Sequence, residues 1–272
     1  MPGIRLTSQM LRHDRLIAAA ALGLAVSVSA AFILAGGGTG MSVFGMAAQT
    51  GPAGALLAGT PDLVSPMPWT PLYGAVIFFM WWMMMIAMMV PSAAPTILLY
   101  GALNGGQGPA APLLFASGYL TVWAVFSLIA TLLQGALAMF GLMSPMFMSL
   151  AWPTLGAGVL IGAGLYQFTP LKAACLDHCR GPIEALTRHR MTGRAAAFRM
   201  GALHGGFCLG CCWALMALLF VGGVMNIWWV LGIAIYVAIE KLTPGGERLA
   251  RPLGALLILA GIALMLRAFD VL

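Results

Sequence analysis

The chain has 272 residues, 61% of them hydrophobic and only 7% charged, with a formal net charge of +6. Soluble domains carry about a quarter charged residues, so the composition excludes an ordinary soluble fold and predicts an all-α, polytopic transmembrane helix bundle. The positive charge lies outside the long apolar runs, which removes it as an argument for nucleic acid, and the five cysteines form no secreted disulfide framework.

Arg5, Arg12 and Arg15 precede an apolar run over residues 16–35, long enough to cross a hydrocarbon core of about 30 Å. Residues 1–35 read as an N-terminal transmembrane helix and signal anchor, although the basic start and small-residue end also fit a cleaved signal. Residues 36–71 are rich in Gly, Pro and Ala, contain no Lys or Arg, and are expected to form a periplasmic loop in which Met41, Met46 and Met67 have no regular spacing. Residues 72–272 read as one metal-binding helical membrane domain. Its first span, 72–103, contains Pro91 and Pro95, which are expected to kink or break it. Further spans follow at 112–140, 151–168, 197–221, 226–239 and 253–266, and a charged segment, 169–199, separates the third of the domain from the fourth. Seven spans alternating from a cytosolic N-terminus put every Lys and Arg except Arg267 on the inside, with the C-terminus outside. That pattern predicts a multi-pass protein of the bacterial inner membrane. Gly158 with Gly162, and Gly201 with Gly205, have the spacing that lets helices approach closely.

The run His204-Gly-Gly-Phe-Cys208-Leu-Gly-Cys211-Cys212 puts three thiols and an imidazole at i, i+4, i+7 and i+8, on one helical face. Thiolate and imidazole suit soft or borderline transition metals, and such groups at bilayer depth usually mark function. Buried cysteines can also be small hydrophobes, but three within five residues make that the weaker reading. In the 72–103 span, Met80, Met84 and Met88 repeat every fourth residue beside a parallel row of Met85 and Met89. A methionine stripe is more often plastic packing than a ligand set. Depth favours ligation: at 1.5 Å per residue both the methionines and the cysteines fall about 15 to 20 Å from their respective boundaries, near the midplane. Thiolates, thioethers and one imidazole select Cu(I) first and zinc second.

A second cluster, Cys175, His178 and Cys179, can share one face of a helix beginning near Pro170. It is expected at the cytosolic mouth, as a docking or transfer site or as a dithiol. Glu240 and Lys241 end an apolar run and read as a structural ion pair or as snorkelling groups. No Gly-rich phosphate loop, Ser/His/Asp set or carboxylate pair supports hydrolase or kinase chemistry.

Met84-Met85-Ile-Ala-Met88-Met89-Val-Pro91-Ser92, Tyr166-Gln-Phe-Thr169-Pro170-Leu-Lys172 with Cys175 and Cys179-Arg180, and Gly206-Phe-Cys208-Leu-Gly-Cys211-Cys212-Trp213 with Met225-Asn226 and Glu240-Lys241 carry a resemblance. Over about residues 72–245 the chain resembles a bacterial family of predicted metal-binding integral membrane proteins of uncharacterised function. The resemblance implies a metal but names neither ion nor activity. From the residues, the expected ligands are Cys208, Cys211, Cys212 and His204 with Met84 and Met88, and Cys175, His178 and Cys179 form the separate cytosolic site. The expected role is binding Cu(I) for metal handling or for delivery to a periplasmic or membrane cuproprotein, without catalysis. Two other readings stay open: a membrane thiol–disulfide oxidoreductase passing electrons between the two cysteine clusters, and a membrane anchor subunit of a metalloenzyme.

Overall fold

A computed structural model describes residues 2–38, 69–104, 110–144, 148–181 and 193–269; the loop methionines Met41, Met46 and Met67 lie outside them, as do Arg188 and Arg190. The chain is an all-α bundle with one two-stranded hairpin. Helix α1 is Pro2–Leu34, α2 Pro71–Leu103, α3 Ala110–Met139, α4 Pro153–Tyr166, α5 Pro170–Arg180 and α6 Arg194–Ala217. A short turn of helix, α7 (Leu219–Gly222), leads to α8 (Ile227–Leu242), a 3-10 turn Gly246–Leu249 and α9 (Ala250–Ala268). The strands β1 (Met143–Ser144) and β2 (Ser149–Leu150) pair antiparallel between α3 and α4.

Several starts are written in local sequence. Thr70 caps α2 by accepting the Tyr73 N–H at 3.2 Å, Thr169 caps α5 through Lys172 N–H at 3.3 Å, and Asn226 caps α8 through Trp228 N–H at 3.1 Å. Proline follows the cap in α2 and α5, where its missing N–H leaves no helical bond unmade. Pro91 and Pro95 do not break α2, which continues through both. Around them, Ser92 Oγ and Tyr119 OH both donate to the Met89 carbonyl, at 2.9 and 3.3 Å.

Among the described residues, five helices are long and apolar enough to cross a membrane, or up to six if α4 and α5, bent by 64° at their junction, count as one span. Helix α8, counted as a span from the sequence, has 16 residues. The outside of the bundle is apolar: Leu24, Leu72, Leu132, Leu256 and Leu259 are each more than 60% exposed. The interior holds Trp81, Tyr119, Trp123 and Phe115, all fully buried, and the Trp81 indole N–H reaches Gln134 Oε1 at 2.7 Å.

Helices α3 and α6 touch backbone to backbone. A Cβ on Gly118 would overlap the Phe198 carbonyl, and one on Gly201 would overlap the Phe115 carbonyl. Gly205 meets Val122 and the Tyr119 carbonyl. The expected role of Gly158 and Gly162 is corrected: neither has a neighbour within 4 Å of its Cβ position. Helix α4 instead meets α9 through Ala157, Ile161 and Gly164, an i, i+4, i+7 face that leaves Gly158 and Gly162 rotated away.

Candidate metal centre

Helix α6 carries Cys208, Cys211 and Cys212 toward the core, each 1% exposed or less. The 64° bend after α4 turns α5 back against this face. Contacts from Lys172 and Arg180 hold it there. Lys172 Nζ lies 2.6 Å from Glu240 Oε1, and the same ammonium donates to Gln167 Oε1. Arg180 donates to the Glu240 carbonyl at 2.7 Å and pairs with Glu247 at 2.8 Å. Tyr236 OH adds a hydrogen bond to Glu240 Oε1 at 3.1 Å. The fit between α5 and α6 also requires Gly210: Cys175 Sγ sits 2.6 Å from where a Cβ on Gly210 would be, and Tyr166 OH donates to the Gly210 carbonyl at 2.5 Å.

As a result the two cysteine clusters, expected at separate depths, come into contact through Cys179 and Cys211. Cys179 Sγ of α5 lies 4.0 Å from Cys211 Sγ of α6. Cys211 and Cys212 both direct their thiols at the Cys208 carbonyl, at 3.1 and 2.9 Å. Cys212 Sγ stands 3.9 Å from Met89 Sδ of α2. The thioether that reaches the thiols thus comes from the Met85/Met89 row. Met84 and Met88 are buried on the same helix, in the neighbouring row.

Cys208 has a different environment. Lys241 Nζ donates to its sulfur at 2.9 Å, and Tyr119 OH lies 3.0 Å from it. The ion pair expected at Glu240-Lys241 is made by Glu240 with Lys172, while Lys241 is 8% exposed and turned inward on the Cys208 sulfur. Adjacent helical residues point about 100° apart, so only one of the two could face α5. The available signal was an ionisable pair at the end of an apolar helix; the direction of each side chain was not in it.

The two described histidines beside the cysteines pack on aromatic rings. His204 packs between the Phe115 and Tyr119 rings, at 5.9 Å from each, and His178 stacks on Phe207 at 3.9 Å and 18°. Among the described residues, no group of three or more His, Cys, Asp or Glu is gathered closely enough to hold a metal ion by itself. Pairs of sulfurs do fit one. Two thiolates bound about 2.3 Å from one ion lie about 3.8 Å apart at a tetrahedral angle and about 4.6 Å apart in line, and the 4.0 Å between Cys179 and Cys211 falls within that interval. The donor set of thiols and one thioether is soft.

A family model described as PpoB2, a copper chaperone, matches residues 78–264. The chain belongs to this copper chaperone family. The matched segment holds every residue of the sulfur centre, together with Lys172, Glu240 and Lys241, and leaves out α1. It narrows the metal implied by the sequence resemblance to copper. No curated relative and no solved structure matches the chain.

Proposed function

We propose that the protein is a membrane-embedded copper chaperone that carries Cu(I) between α5 and α6 and hands it to a copper-using protein. The observation that carries this reading is the 4.0 Å approach of Cys179 to Cys211, which joins two sequence clusters into one soft-donor site. Cys179 and Cys211 bind the ion, Cys212 and Met89 stand beside it as exchange partners, and Cys208 is held by Lys241 and Tyr119. Charge supports the assignment. Two thiolates around Cu(I) leave one net negative charge, and the buried Lys241 ammonium offsets it, so that a loaded centre at membrane depth is neutral. Zinc is the weaker choice, because a thioether adds little for an ion that prefers four N, S or O donors.

In this reading the membrane is the bacterial inner membrane, with the N-terminus in the cytosol and the α5 end of the bundle on the cytosolic side, as the Lys and Arg distribution requires. Reporter fusions after Leu150 should then read periplasmic and those after Arg190 cytosolic; the reverse pair would overturn the topology. The site itself is tested by anaerobic Cu(I) titration of the detergent-purified protein against a chromophoric chelator. Cys179→Ser and Cys211→Ser should each weaken binding by at least about a hundredfold, the loss of one charged ligand. Unchanged affinity in both would sink the assignment.

The 4.0 Å contact also keeps a thiol–disulfide reading in play, since thiols this close could close to a bond of about 2.05 Å. Thiol trapping of freshly isolated protein separates the two. A copper carrier is recovered with Cys179 and Cys211 reduced, and an oxidoreductase with a disulfide between them.

A further inference from the structure

From the thiol centre the two adjacent methionine rows of α2 run together to Met80, which packs beside Met225. Met80, Met84 and Met85 are fully buried, and Met88 is 3% exposed. From Met89 to Met80 the helix rises about 13 Å. At that far end Met80 is not alone. Met80 Cγ and Met225 Cε come within 2.9 and 3.4 Å of the point where a Cβ on Gly37 would stand. Gly37 has φ +58, and its N–H closes the end of α1 by donating to the Phe32 carbonyl at 3.0 Å. A side chain at this position would strike Met80, so the bare glycine lets the α1 turn lie directly on the methionine pair.

A third methionine is held nearby. The Met148 carbonyl accepts the Val224 N–H at 3.2 Å, which ties the β2 end of the hairpin to the residue before Met225. Met148 is 3% exposed and is the only non-glycine residue with positive φ, +48, among the described residues. An unbranched side chain held in that conformation inside an apolar core is a strained placement, and strain of this kind gathers at functional positions.

We propose that Met80 and Met225, with Met148 beside them, form a second Cu(I) site made only of thioethers, filled from the thiol centre along the α2 rows. This rests on the copper-carrier reading and gives it a direction: away from Cys179, through Met89, to the end of the bundle beside the hairpin. Each step exchanges one Cu–S bond for another. Copper stays Cu(I), and because a thioether carries no proton, no proton moves along the rows. When the ion leaves, Cys179 and Cys211 both keep the charges they bound it with, Lys241 offsets one of them, and the remaining negative charge favours reloading with the next Cu(I).

The test counts ions. The detergent-purified protein should bind two Cu(I). A Cys179→Ser/Cys211→Ser/Cys212→Ser variant should bind one, with affinity unchanged between about pH 7 and pH 4.5, where cysteine thiols are protonated. Adding Met80→Leu and Met225→Leu to that variant should abolish the remaining ion, while Met200→Leu, a buried methionine elsewhere on α6, should leave it. If the double Leu protein elutes aggregated, Met225→Leu alone should still weaken the second ion at least tenfold. One ion in the wild type and none in the triple cysteine variant would overturn the second site and leave the thiol centre standing. One ion in both, lost with the methionines, would overturn the thiol centre and leave the second site. An ion that survives both Leu substitutions overturns the inference as well.

Discussion

The two ends of the proposed copper path are held by different physics. The thiol centre is fixed by charge: a buried Lys172–Glu240 pair at 2.6 Å, Arg180 on the Glu240 carbonyl, and Lys241 on Cys208. The methionine end is fixed by packing, with Met80 against Met225 under the Gly37 turn and no charge nearby among their described contacts. Thiolates are anions and need cations in an apolar interior. Thioethers are neutral and need only close neighbours. The difference makes one end sensitive to the loss of a charge and the other to the loss of shape.

The largest effect should come from Glu240→Leu, which leaves the Lys172 ammonium buried with Gln167 as its remaining partner. Breaking one side of a buried pair costs about 3–5 kcal/mol. Thermal unfolding in detergent should record it, together with loss of copper binding as α5 comes away from α6. A Lys172→Met/Glu240→Leu double variant should recover most of the stability, and failure to do so would show that the pair does more than neutralise itself. Next comes Lys241→Met. Removing a charge-assisted hydrogen bond to sulfur costs about 1.5–3 kcal/mol, or roughly ten- to hundredfold in Cu(I) affinity. An unchanged affinity would mean that Lys241 does not balance the loaded centre. Met89→Leu keeps side-chain volume, so stability should change by less than about 1.5 kcal/mol while copper exchange from Cys212 slows in stopped-flow transfer to a chelator. The smallest effect belongs to His204→Phe. The ring packs against Phe115 and Tyr119, which a phenyl ring can replace, so Cu(I) affinity should move less than about twofold; a large loss would make histidine a ligand.

Much of this was legible from the residues. Apolar runs marked the long helices, and i, i+4, i+7, i+8 spacing put Cys208, Cys211 and Cys212 on one buried face. What sequence periodicity cannot express is where one helix folds onto another. The bend between α4 and α5 moved Cys179 from a separate site at the mouth to 4.0 Å from Cys211, and no local signal at Gln167-Phe168-Thr169 gives its angle. The same limit explains Gly158 and Gly162, whose spacing was right and whose face was wrong. An ion pair was legible at Glu240-Lys241, but not that Lys241 would take Cys208, a thiol on another helix, as its partner. Of the two outcomes expected for Pro91 and Pro95, a kink or a break, the break does not occur, because α2 runs on through both.

The backbone contact between α3 and α6 has a consequence for how this protein can change over generations. Gly118 faces the Phe198 carbonyl and Gly201 faces the Phe115 carbonyl, so each glycine opposes main chain and not a side chain. A methyl group added at either position cannot be accommodated by trimming a residue opposite, because there is nothing opposite to trim. The two sites therefore cannot drift as a compensating pair, and every descendant that keeps Tyr119 against Cys208 must inherit both glycines independently.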